Sequence, residues 1–120
     1  MPLPYKRADR VGDLVRRELS RLLLREVKDP RLRDVTITSV EMSADLRHAQ
    51  VRFTGPTGTG AAGEGLQGLR SAAGFLRGEL GRALRLRYAP DLSFEVDDSV
   101  ERSLHIAALL RQIASEDGGE

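Results

Sequence analysis

From residue 7 to residue 27 the apolar positions Val11, Leu14, Val15, Leu19, Leu22, Leu23 and Val27 recur at helical intervals. This spacing predicts an amphipathic helix with one stripe turned to a core. At about 100° per residue, Arg10, Arg17, Arg21 and Lys28 gather on a different face within a wedge of about 40°. Asp29-Pro30 ends the helix, because the residue before a proline is pushed out of helical backbone angles. Residues 35–42, Val-Thr-Ile-Thr-Ser-Val-Glu-Met, are rich in β-branched side chains and predict a strand. Their apolar parity switches from odd to even positions near Ser39, which calls for a bulge or for partial cover on both faces. Ser43-Ala44-Asp45-Leu46 supplies a tight turn. Ala49, Val51 and Phe53 then alternate with Gln50, Arg52 and Thr54, predicting a hairpin with one buried face.

Residues 55–65 contain no apolar side chain larger than alanine, which predicts a mobile surface loop. Helical spacing resumes over residues 66–86 with Leu69, Ala72, Ala73, Leu76, Leu80, Ala83 and Leu84. Gly74 interrupts that stripe and predicts two helices meeting at a bent joint, Ala72-Ala73-Gly74. Beyond Pro90, Leu92, Phe94 and Val96 alternate with polar residues and predict a third strand. Asp98 and Glu101 have capping-box spacing ahead of a last helix bearing Val100, Leu104, Ile106, Leu109, Leu110 and Ile113. The expected fold is α+β in the order α-β-β-α-kink-α-β with a C-terminal helix, the helices packed on one face of a three-stranded sheet. Residues 1–114 are expected to form one domain and residues 115–120 a flexible acidic tail.

Composition narrows the chemistry. Three Phe, two Tyr and no Trp leave an aliphatic core and few platforms for base stacking. The absence of cysteine excludes disulfides, thiolate metal sites and cysteine nucleophiles. No stretch resembles a signal peptide or a membrane span, so a cytoplasmic protein is expected. Net charge is only +1, yet residues 1–35 hold ten Lys and Arg against six Asp and Glu, and residues 70–90 hold five against one. Residues 91–120 reverse the balance, with two basic side chains against eight acidic ones. Such sign segregation suits a protein that lays one face on phosphate. The excess of Arg over Lys, 17 to 2, fits a GC-rich genome more simply than a hot habitat.

Four Gly-x-x-Gly pairs occur, beginning at Gly55, Gly60, Gly65 and Gly78. None has a basic residue in its middle positions, unlike the backbone clamp of a KH domain, and glycine abundance accounts for them. The joint at Ala72, Ala73 and Gly74 is better placed, because small residues there would let a sugar-phosphate backbone approach amides at the start of the next helix. Its alternative is a kink that wraps the helix on the sheet. Arg70, Arg77 and Arg85 share a wheel face with the glycines of this stretch and offer planar forks of donors to phosphate. The opposing reading, for these and for the Arg10, Arg17, Arg21 and Lys28 stripe, is a solvated face, with Asp13 and Glu18 near enough to pair with the latter. Glu95, Asp97, Asp98, Glu101 and His105 cluster in sequence, but strand edge, cap and helix dipole explain the pattern. No nucleophile, base and orienting group come together, so no catalysis and no cofactor are expected.

Several of these pieces together resemble the ribosome-binding factor A family. They are Asp29-Pro30-Arg31, then Val40-x-x-Ser43-x-Asp45-Leu46-x-x-Ala49-x-Val51, Ala72-x-Gly74, and Pro90-x-Leu92-x-Phe94-x-x-Asp97. The resemblance implies a type II KH-like fold in which an Ala-x-Gly kink, matched here by Ala72 and Gly74, replaces the Gly-x-x-Gly loop. It also implies binding to rRNA of the free small (30S) ribosomal subunit, late assembly with 16S 5′-end processing, importance in the cold, and release involving an assembly GTPase. The Gly-rich stretch at 55–65 departs from the family pattern. The chain is expected to act as a monomer. Two rival readings stand beside this one: a protein-interaction module of the translation apparatus without RNA contact, and a metal-dependent hydrolase built around Asp97, Asp98 and His105.

Overall fold

The structure, a computed structural model, describes residues 6–55 and 61–118. At its centre lies the strand His48–Thr54, here β2, whose inward residues Ala49, Val51 and Phe53 are all but fully buried. On one side β2 pairs antiparallel with β1, Thr36–Met42. On the other it pairs parallel with β3, Asp91–Val96, so the sheet order is β1-β2-β3. The parity switch in β1 is a bulge, because the register slips between Ile37 and Ser39. One extra residue, Thr38, lets Ile37 and Met42 both enter the core.

Helix α1, Arg7–Arg25, lies on one face of this sheet. Val15, Leu19, Leu22 and Leu23 point inward as their spacing requires. Gly12 sets the closeness of approach, since a Cβ there would sit 2.8 Å from the Val40 carbonyl oxygen. The helix closes earlier than expected, with Glu26 as its C-cap, and Asp29-Pro30 instead starts a short 3₁₀ turn, Pro30–Leu32. Asp29 accepts the Arg31 backbone N–H at 2.9 Å and pairs with the Arg31 guanidinium at 2.7 Å. That turn drops Leu32 into the core.

Helix α2, Ala61–Ala83, corrects two expectations. It begins inside the stretch expected to be loop, and residues 56–60 of that stretch lie outside the described residues. Gly68 is buried against the 3₁₀ turn, where a Cβ would come within 2.9 Å of the Leu32 side chain, so that glycine is a packing device. The second correction concerns the joint. The helix passes through Ala72, Ala73 and Gly74 without a break, as one helix instead of two. Alanine is the best helix former and one interior glycine costs about 1 kcal/mol. The buried stripe Leu69, Leu76 and Leu80 spans the glycine on both sides and outweighs that cost.

Helix α3, Ser99–Gly118, carries helical backbone into residues 115–118 of the expected tail. It has no substantial packing partner among the described residues, and its described side chains are exposed, including Leu104, Ile106, Leu110 and Ile113. The molecule is accordingly elongated, 64 × 42 × 18 Å.

Candidate nucleic-acid interface

Because α1 and α2 cover the same sheet face, the molecule has two unlike broad surfaces. The open sheet face is polar and cross-linked. Gln50 donates to Glu95 at 3.1 Å, and Arg52 lies 3.6 Å from Glu41 and 3.7 Å from Glu95. His48 faces Asp91 at 3.8 Å. Lacking exposed aromatic rings and holding more acid than base, this face is poorly suited to phosphate or to stacked bases.

The outer surface of the helices is different. Arg10 and Arg17 on α1, and Lys28 just beyond its end, are exposed, and the structure shows no ion pair for them among the described residues. Arg21 is engaged by Glu18 at 2.5 Å, which holds the Glu18 carboxyl below its usual range. Two leucines interleave with this stripe on the same wheel face, Leu14 at 47% exposure and Leu24 at 81%. The surface is thus cationic and apolar together, which the charge pattern alone did not reveal.

On α2 the sequence-predicted set separates. Arg70 is exposed and free of ion pairs among the described residues. Ala72 packs partly against the core, and Gly74 is exposed, with open space to 4 Å around the point where a Cβ would stand. The unbroken helix commits the backbone N–H groups of this stretch to its own ladder, so amides are not held out for a phosphate. Arg77 is also committed. It donates to the Pro90 carbonyl at 3.1 Å and lies 3.0 Å from the Asp91 carboxylate, fastening α2 to the start of β3. Arg85 sits beyond the helix end with φ +52°, exposed.

Within the carboxylate cluster, Asp97 and Asp98 make contacts that tie the fold together. Asp97 accepts the Thr38 hydroxyl at 2.6 Å and the Ser99 N–H at 3.0 Å, and the Thr38 hydrogen bond, followed by those of Ser99, holds its carboxyl down at about 2. Asp98 pairs with Arg102 at 3.0 Å. Among the described residues no three His, Asp or Glu side chains are placed to hold a metal, and no helix is long and apolar enough to cross a membrane.

Sequence reasoning missed one grouping. The Arg47 guanidinium lies over the Tyr88 ring, 4.5 Å from its centroid, with Arg87 at 5.5 Å. These residues come from two loops separated by about forty positions, and the one local signal was the Arg-Tyr adjacency at 87–88.

A small α+β domain of KH-like type, with a basic helical surface and an acidic sheet face, is the class that fold and surface define. The ribosome-binding factor A family model matches residues 7–110, and the chain belongs to that family. Over 119 residues it is 49% identical to ribosome-binding factor A of Pseudomonas entomophila, covering 98% of this chain and 90% of the relative. A Thermotoga maritima solution structure described as a putative ribosome-binding factor A superposes with a TM-score of 0.69 at 30% identity, covering 79% of this chain and 91% of that one. A homology model of ribosome-binding factor A from Thermus thermophilus, fitted into a cryo-EM map of its complex with the 30S subunit, superposes with a TM-score of 0.59. That match is at 27% identity and covers 72% of this chain and 91% of the other.

Proposed function

We propose that this chain binds the free small (30S) ribosomal subunit, contacts its rRNA, and assists late assembly, including 16S 5′-end processing, without catalysing a reaction. The observation that carries this reading is the family match over residues 7–110, with a member of the family placed on the 30S subunit. The physical support is the exposed basic set of Arg10, Arg17 and Arg70 on the helices and Lys28 just after α1, lying away from an acidic sheet. Binding that favours one rRNA conformation over another is enough to promote maturation, since differential affinity shifts a population without bond chemistry. The protein acts as a monomer in the cytoplasm, and its release involves an assembly GTPase acting on the same particle. Chemical footprinting of 16S rRNA in free small subunits, with and without the protein, tests the reading. Protection of a defined rRNA segment is expected; stable association without rRNA protection would favour a protein-interaction module, for which the exposed apolar row of α3 is the candidate contact.

A further inference from the structure

At one end of the sheet the first turns of α1, the β1–β2 turn and the segment after α2 enclose a cleft of about 630 Å³. Leu14, Leu46 and Leu84 give it an apolar floor, and Arg7, Arg47, Arg85 and Arg87 line it. None of the four arginines makes an ion pair among the described residues. The one acid on the wall, Asp45, already accepts the Ser43 hydroxyl at 2.6 Å and the Arg47 N–H at 3.1 Å. Half-exposed Tyr88 holds Arg47, and more loosely Arg87, against its ring. Two of the four cations are thereby placed in advance of any ligand.

Backbone geometry adds an independent observation. Among the described residues two non-glycines have positive φ, Leu46 at 62° and Arg85 at 52°, and both line this cleft. Leu46 has a packing reason, since its side chain rests on the core. Arg85 is exposed and has none. It occupies the left-handed position of a helix C-cap in which the Leu86 N–H reaches back to the Gly81 carbonyl at 3.1 Å, a position that ordinarily belongs to glycine. An arginine standing where glycine is more stable, beside three other arginines that make no ion pair among the described residues, points to a side chain that serves contact rather than the fold.

We propose that this cleft receives one nucleotide of single-stranded RNA, with its phosphate among Arg85, Arg7 and Arg47 and its base on the apolar floor beside the Arg47–Tyr88 layer. A nucleotide supplies a multivalent anion and a flat ring within one residue, which matches this pairing of guanidiniums with an apolar and aromatic wall. A duplex buries its base faces and fits poorly. The inference rests on the reading of the chain as an rRNA-binding factor and locates one contact of it.

Fluorescence anisotropy with a labelled single-stranded RNA of about ten nucleotides, its duplex form and inorganic tripolyphosphate as competitor tests the cleft. The single strand should bind about tenfold more tightly than the duplex, with tripolyphosphate competing weakly. Tyr88→Leu should weaken binding about tenfold. Arg85→Gly should reduce the slope of log affinity against log salt by about 0.7, while raising the melting midpoint by about 5 °C because strain is relieved. The cleft assignment is overturned if the parent ignores the oligonucleotide, if Arg85→Gly binds as the parent does, or if tripolyphosphate competes as well as RNA. Cosedimentation with small subunits separates the two levels. A parent that cosediments but ignores the oligonucleotide removes the cleft and leaves the proposed function standing, whereas a parent that does not cosediment removes the proposed function. Variants that lose subunit binding while the parent shows no oligonucleotide affinity would assign the cleft to a ribosomal protein instead.

Discussion

Asp97 shows how one residue can look catalytic in sequence and prove structural. Its carboxylate joins the bulged Thr38 of β1 to the start of α3, and the hydrogen bonds from Thr38 and Ser99 hold its pKa at about 2, below the ordinary 3.8. A depressed folded-state pKa means that the stabilisation is fully present above about pH 4 and is lost as pH falls toward 2. Asp97→Asn should therefore melt below the parent near neutral pH, and the gap should close between about pH 4 and pH 2. A gap independent of pH would show that the carboxylate's charge is not what matters. The same scale separates Arg70 from Arg77, two residues that a helical wheel treats alike. Arg77 is tied to the Pro90 carbonyl and Asp91, so Arg77→Glu should lower the melting midpoint by several degrees, on the order of 5 °C. Arg70→Glu should leave the melt unchanged and weaken small-subunit binding. Equal melts for the two variants would contradict the assigned clamp. Periodicity placed both arginines on the helix, but the carbonyls that capture Arg77 belong to a loop whose path no local pattern specifies.

Among the elements, β2 was the most legible, because strict alternation over six residues admits one buried face. Helix α1 was nearly so, and the bulge was visible as a switch of parity in β1. The glycines of α2 were misread. In sequence, a glycine that breaks a helix and one that lets two elements touch look the same. Gly68 meets Leu32, Gly74 meets nothing, and the helix runs through both. Gly12→Ala should consequently destabilise by about 1–3 kcal/mol, since its Cβ would press on the Val40 carbonyl from 2.8 Å and the sheet backbone must give way. Gly74→Ala, with open space around it, should instead stabilise by up to about 1 kcal/mol. Chemical denaturation of the pair checks the contrast, and a stabilising Gly12→Ala would contradict the α1–β1 contact. Spacing also predicted α3 as a helix, but an amphipathic pattern does not say whether its apolar face is covered within the chain, and here it is not.

For the whole molecule, the near-zero net charge conceals a division of labour. Acid gathers on the open sheet face and in the C-terminal segment, while unpaired base gathers on the helices and around the Tyr88 cleft. The uneven count along the chain foretold that a basic surface exists. It did not locate it, because Arg21, Arg31, Arg52 and Arg77 are each neutralised by acids the fold brings near. The cleft was illegible for a related reason, as its arginines come from three segments joined at one end of the sheet. If the exposed cationic surface meets small-subunit rRNA, the salt dependence of affinity for purified free 30S subunits shows it most directly. Log affinity should fall linearly with log salt, by about 0.7–0.9 for each phosphate neutralised, and the slope should shrink in an Arg10→Gln, Arg17→Gln, Arg70→Gln variant. An affinity indifferent to salt, or a slope unmoved by those replacements, would contradict the account.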